Sequence, residues 1–180
     1  MAKSTAFSRV VLGFACLLLL ACNVVRAVDT RDCLVATATA EVGVKEATGN
    51  NDGVRVEQYL AAVGLPKGHA WCAAFIKWTC NRCGVKTSGN AYVPSWFNSK
   101  TVIWQRGKAI RAVPERGDVG SIYNHRLQRE AHMFFVDDWP ERGDVKTVEG
   151  NTNLFGVRDG QGVAVLYRSK SVIHRVARLL

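Results

Sequence analysis

The 180-residue sequence has no internal repeat and no low-complexity tract, so neither a repeat array nor a disordered chain is indicated. Its longest apolar stretch, "VVLGFACLLLLAC", is too short to span a bilayer comfortably. No second Cys-x-x-Cys accompanies "CNRC" at Cys80 to Cys83, which argues against a four-thiolate zinc site. Histidine is scarce: any reaction that needs an imidazole base has only four candidates, His69, His125, His132 and His174. Nothing marks a second domain. What remains is an ordinary globular composition, 48% apolar and 22% charged, long enough for one domain with a real core.

The apolar stretch sits at the N-terminus behind a basic leader, Lys3 and Arg9, and is followed by "VVRA", with Val25 and Ala27 at the small-residue positions of a cleavage site. Residues 1–27 therefore read as a secretory signal peptide and residues 28–180 as a single domain. A second exit is a lipobox-like "LLAC" in which Cys22 is lipidated and anchors the chain to a membrane, although Leu20 fits that motif poorly; an uncleaved anchor is the third. The mature form is expected to lack a transmembrane segment and to be secreted or periplasmic. Removing residues 1–27 takes away Lys3, Arg9 and Arg26 and no acid, so the formal charge falls from +9 to +6. A basic protein outside the cell favours anionic polymers such as cell walls or acidic membranes, and no nucleic-acid partner is expected. A solvated basic surface without a partner fits the same charge.

Four cysteines stay in the mature chain: Cys33, Cys72, Cys80 and Cys83. An oxidising compartment permits two disulfides, but if one thiol is a nucleophile the other three supply at most one.

Along the chain, Asp29 or Thr30 caps a helix with Leu34, Ala38 and Val42 on one stripe. "EATGNNDG" is a loop. Asp52 caps a second helix with Val56, Tyr59, Leu60 and Val63 on one side, stopped at Gly64. A third starts near Trp71 and runs to about Arg82, its stripe Trp71, Ala74, Phe75 and Trp78, with Gly84 closing it. "VPSWFNSKTVIW" reads as irregular with a short helical turn. From Asp118 onward short runs alternate, "DVGSIY", "HMFFV", "VKTVE", "GVAVLYR" and "SVIHRVARL", each bounded by turn residues. Helices followed by strands predict an α+β fold, with N-terminal helices packed on one side of a C-terminal antiparallel sheet.

Within "GHAWCAAFIKW", Cys72 falls on the first or second residue of the third helix. Unpaired N–H groups and the helix dipole favour an anion there, lowering a thiol pKa toward the reactive thiolate. A buried or disulfide-bonded cysteine is the alternative. A nucleophile needs a base and a group that orients the base. His132 opens "HMFFVDD"; if that strand and "VKTVE" pair as a hairpin with Val136 opposite Val145, His132 lies opposite Glu149 on one face. A two-residue slip would put Thr147 or Asn151 there instead.

These pieces in order, "EVGVKE", "AWCAAFIKW", "PERGDVGSIY", "AHMFFVD", "TVEGNTN" and "GVAVLYRS", resemble the CHAP family of cysteine- and histidine-dependent amidohydrolases and peptidases, in the papain-like clan. The resemblance covers most of residues 41–170. It implies a papain-like fold and hydrolysis of peptidoglycan or its peptide stems by a monomer without metal or cofactor. Carried over position by position, Cys72 matches the nucleophile, His132 the general base and Glu149 the orienting residue, with Asn151 as a further polar member. The family often has glycine before the histidine and a small apolar residue after it; here Ala131 and Met133 flank it. The implied reaction is acyl transfer, with the Cys72 backbone N–H as an oxyanion donor. Trp71, Trp96 and Trp104 line a substrate groove or fill the core. The rivals are a thiol–disulfide pair at Cys80 and Cys83, a structural zinc held by Cys33, Cys80, Cys83 and a histidine, and a non-catalytic wall-binding module on the same fold.

Overall fold

The computed structural model describes residues 29–152 and 160–180. The proposed signal peptide, with Cys22, lies outside the described residues. Three helices come first: α1 (Thr30–Thr39), α2 (Val54–Ala61) and α3 (Cys72–Arg82). A 3-10 turn at Val93–Trp96 leads into six strands: β1 (Val102–Gln105), β2 (Val119–Asn124), β3 (Arg129–Asp138), β4 (Val145–Thr152), β5 (Gly162–Arg168) and β6 (Ile173–Ala177). The strands form one antiparallel sheet in the order β1-β6-β2-β3-β4-β5. The architecture is mixed α+β.

The sequence reasons for the helices hold with three corrections, the first that Val63 lies beyond the end of α2, whose buried stripe is Val56, Tyr59 and Leu60. Asp29 caps α1, its carboxylate accepting from the Arg31 N–H at 3.0 Å. Val42 lies beyond the end of α1 and is exposed, so the stripe is Leu34, Val35 and Ala38. Gly53, not Asp52, is the N-cap of α2; Asp52 instead accepts from the backbone N–H and hydroxyl of Thr48 and closes the loop before it. Gly64 and Gly84 adopt positive φ, 72° and 70°, just past the two helices they stop.

The main core lies between the helices and one face of the sheet, joining Leu34, Tyr59, Trp71, Phe75 and Ile76 to Met133, Phe135 and Val148. A smaller cluster, Phe134, Val136, Val145, Ile173 and Val176, occupies the other face. Alternate residues of β3 thus feed two cores, as a strand buried on both faces must. Trp71 and Trp96 are core residues, fully and almost fully buried. Trp104 borders an open cavity, which it lines with Phe97, Lys108, Arg111 and Arg175, and Trp96 edges a smaller one with Gly89, Ser95 and Arg178.

α3 packs across β3 and β4. One position sets how closely. A Cβ on Gly150 would come within 2.7 Å of the Phe75 ring, so glycine lets β4 approach the helix that carries Cys72. A disulfide joins Cys33 of α1 to Cys83 just past α3, with the Cα atoms 5.9 Å apart. That pairing removes Cys83 from any Cys80–Cys83 redox pair and both Cys33 and Cys83 from a zinc site. Cys80 is a buried free thiol, and burial pushes it up to about 12. Among the described residues no helix is long and apolar enough to cross a membrane.

Candidate active site

Cys72 is the first residue of α3 and a free thiol, only 4% exposed. No side chain caps the helix, and the Cys72 N–H has no hydrogen-bond acceptor among the described residues. The thiol meets the His132 ring and the backbone N–H groups of Met133 and Ala73. Burial opposes ionisation, but the His132 hydrogen bond and charge, with the two N–H groups, outweigh it and hold the thiol below its usual range.

His132 is on β3, its side chain 20% exposed at the surface of the site. Its Nε2 lies 2.7 Å from Glu149 Oε2 on β4, which leaves Nδ1 as the nitrogen free for Cys72. Burial disfavours the imidazolium; its hydrogen bonds to Cys72 and Glu149 and their charges win, and the pKa is raised.

The contact is made in a register other than the expected one. Phe135 pairs with Val148 and Val136 with Thr147, two residues away from a Val136–Val145 pairing. Continued, that register sets His132 level with Asn151, so His132 and Glu149 are diagonal neighbours on one face. Diagonal positions are within reach of long side chains.

Glu149 is fully buried. Oε1 accepts from Thr147 Oγ1 at 2.6 Å and Arg168 Nε at 2.8 Å; Oε2 accepts from Arg168 Nη2 at 2.7 Å and Thr152 Oγ1 at 3.1 Å, besides His132. Burial alone would raise the carboxyl pKa; the bonds from Arg168 and His132 reverse this and hold it far below the usual carboxylate range. Sequence reasoning gave Arg168, Thr147 and Thr152 no role beside Glu149. The β4–β5 pairing sets Val145 opposite Arg168, Thr147 opposite Leu166 and Glu149 opposite Ala164, which places Arg168 on Glu149's face, but sequence order does not state that pairing.

Asn151 does not hydrogen-bond His132. It has φ 54° at an irregularity of the β4–β5 pairing, a backbone state that asparagine tolerates. Its Oδ1 accepts from the Trp71 N–H at 3.1 Å, and Nδ2 donates to Gly160 O at 2.6 Å, Asn51 Oδ1 at 3.2 Å and Glu46 Oε1 at 3.3 Å. Glu46 Oε1 also accepts from Trp71 Nε1 at 2.8 Å. These bonds fix the residue immediately before Cys72. Beside them opens a polar cavity of ≈ 550 Å³ lined by Glu46, Asn50, Asn51, Ala70 and Asn151.

The other histidines are elsewhere. His69 and His125 are exposed in turns. His174 Nδ1 pairs with the buried Glu130 at 2.9 Å, beside Arg175. Thus a thiol at a helix start meets an imidazole whose far nitrogen is held by a carboxylate, an arrangement with the parts for nucleophilic acyl transfer. No family model, curated protein or solved structure was found to match this chain.

Proposed function

We propose that this protein is a secreted peptidoglycan hydrolase on a papain-like fold, cleaving an amide or peptide bond with Cys72 as nucleophile. The single observation that carries the reading is the Cys72–His132–Glu149 contact chain, with the thiol pushed toward thiolate and the imidazole toward imidazolium. The disulfide fits an oxidising compartment, and the net charge of +6 over residues 28–180 fits an anionic wall.

The chemistry follows from the positions. The Cys72 thiolate attacks the carbonyl carbon and an S–C bond forms. The carbonyl oxygen takes the electron pair beside the Cys72 N–H at the start of α3, which has no acceptor among the described residues. Collapse breaks the C–N bond, and the His132 imidazolium gives its Nδ1 proton to the leaving amine. Neutral His132 then takes a proton from water, which attacks the thioester and releases the carboxylate and the thiolate. Glu149 keeps Nε2 protonated throughout, and Asn151 and Glu46 hold Trp71 and so the start of α3.

Digestion of purified peptidoglycans, with new ends identified by mass spectrometry, tests this. The expected products carry one new amine and one new carboxyl end, and their identity separates muramoyl–L-alanine cleavage from cross-bridge cleavage. Wall binding with no new ends, unaltered by alkylating Cys72, would establish the non-catalytic binding module instead.

A further inference from the structure

We propose that Arg168 is a positioning residue of this site: by clamping Glu149 as a buried anion, it fixes the proton pattern of His132 on which Cys72 reactivity depends. The inference rests on reading Cys72 and His132 as nucleophile and base. Four charged or chargeable groups stand in line on four successive elements of the site, Cys72 on α3, His132 on β3, Glu149 on β4 and Arg168 on β5. The charges that bear on each are those of its neighbours in this line. As thiolate, imidazolium, carboxylate and guanidinium they alternate in sign and sum to zero.

Five hydrogen bonds converge on Glu149, from His132 Nε2, Thr147 Oγ1, Thr152 Oγ1 and the Nε and Nη2 of Arg168. The N–H groups of Arg168 and His132 between them reach both carboxylate oxygens, which disfavours a carboxyl proton on either and keeps Glu149 an acceptor. His132 Nε2 must then carry a hydrogen, and Nδ1 is the nitrogen left to exchange a proton with the thiol. Arg168 is what keeps this state. A carboxylate with no exposure and only an imidazole as counter-ion gains by taking the imidazole's proton, because burial favours the neutral pair. The ring would then be free to present Nδ1–H to the thiol and lose its capacity as a base. A guanidinium stays charged at any working pH and spans both carboxylate oxygens with its planar fork, as Arg168 does here at 2.8 and 2.7 Å. Its own side chain is 29% exposed, so its charge keeps contact with water while Glu149 does not.

Alkylation of Cys72 by iodoacetamide against pH, in the whole protein and read by peptide mapping, tests the inference without any substrate. In Arg168→Met the midpoint of the reactivity curve should rise by about one pH unit or more, with the rate below it down about tenfold, since the thiolate fraction sets the rate. Arg168→Lys, which keeps the charge and loses the fork, should recover at least half of that shift. Arg168→Met added to Glu149→Gln should change the curve no further, because Arg168 acts through Glu149. In the wild-type protein the ¹⁵N spectrum should show His132 Nε2 protonated from about pH 5 to about pH 9, a readout that stands even if Arg168→Met fails to fold. An unchanged curve in folded Arg168→Met, additive losses in the double variant, or loss of the Nε2 proton in that range would overturn the inference alone. A wild-type thiol that reacts no faster than a free one overturns it together with the parent reading.

Discussion

His132 and Glu149 touch at 2.7 Å across a diagonal of β3 and β4, two residues out of the register in which they would face each other. The slip is harmless because it is even. Side chains alternate with period two, so an even slip keeps both residues on the same face and only lengthens the reach. A one-residue slip would have turned Glu149 to the opposite face of the sheet from His132 and left His132 without its carboxylate.

The first prediction concerns Glu149→Gln. An amide has one acceptor oxygen and an NH₂ that faces donors, so it cannot satisfy His132, Arg168 and both threonines together. Arg168 is left without its counter-ion. We expect a loss of about 3 kcal/mol in stability, the scale for breaking a buried pair, measured by urea unfolding. Wall hydrolysis should fall about 10- to 100-fold, less than for loss of the nucleophile. Wild-type stability in this variant would show that the buried carboxylate does not hold its partners.

Cys72→Ser and Cys80→Ser separate chemistry from packing. Both thiols are buried and free, but only Cys72 meets an imidazole. Cys72→Ser should keep the fold and lose hydrolysis by about 1,000-fold or more, because serine lacks the thiol's easy ionisation. Cys80→Ser should keep activity and lose about 1–3 kcal/mol by burying a hydroxyl. The reverse pattern of activities would move the nucleophile to Cys80.

Much of this site is legible in the sequence, and the misses share one cause. Cys72 and His132 are marked by residue type at a helix start and in an apolar strand run, both local signals, although β3 begins at Arg129, three residues before the histidine that opens "HMFFV". Glu149 is legible because an even register error preserves its face. Arg168 is not, because its role depends on which strand lies beyond β4, and sequence order does not state the pairing of β4 with β5. In the sequence Asn151 reads as a polar companion of the histidine; its partners, Trp71, Glu46, Asn51 and Gly160, come from three separate loops. In the fold, β1 went unread because "VIWQ" is four half-buried residues with no alternation, a strand only by virtue of pairing with β6.

Asn151 gives a prediction about positioning. Asn151→Gly keeps the backbone free to hold φ 54° and removes the side-chain bonds to Trp71, Asn51 and Gly160. Asn151→Ala removes the same bonds and adds backbone strain. Glycine should therefore be the milder change by about 1 kcal/mol in stability. Both should lower kcat more than they raise KM, since the start of α3 carries the nucleophile and its N–H. Equal stability of the two variants would mean that the left-handed state is not held in solution.

The Cys33–Cys83 bridge closes a chain separation of 50 residues and ties α1 to the end of α3. The chain-entropy account gives about 4 kcal/mol for a loop of that size. Cys33→Ser with Cys83→Ser should lower stability by roughly that amount in urea unfolding, and the folded fraction should keep its Cys72 reactivity, because the bridge lies at the opposite end of α3 from the thiol. Non-reducing peptide mapping that found Cys72 in a disulfide would contradict the nucleophile, and one that joined it to Cys33 or Cys83 would contradict the pairing as well.

The last prediction is the pH dependence of stability. Burial raises the Glu149 pKa, but Arg168 and His132 overcome this and hold it far below 4.5 in the folded state. A group lowered on folding contributes its full stabilisation above its unfolded pKa, here 4.5, and loses it as pH falls toward the folded value. His132 has the opposite sign. Burial lowers it, while Cys72 and Glu149 raise it from 6.5 to about 10, so its contribution is complete below pH 6.5 and is lost as pH rises through about 10. For these two groups together the plateau lies between pH 4.5 and 6.5. Thermal unfolding should therefore show wild type exceeding Glu149→Gln by the largest margin in that window. The margin should shrink by about 2 kcal/mol or more toward pH 2, as the unfolded chain takes up a proton at Glu149 that the folded site resists. It should also narrow above pH 9, as His132 loses the proton that Glu149 stabilises. A margin that stays constant from pH 2 to pH 6 would mean that Glu149 is not a buried carboxylate in the folded protein, and the charge line from Cys72 to Arg168 would fail with it.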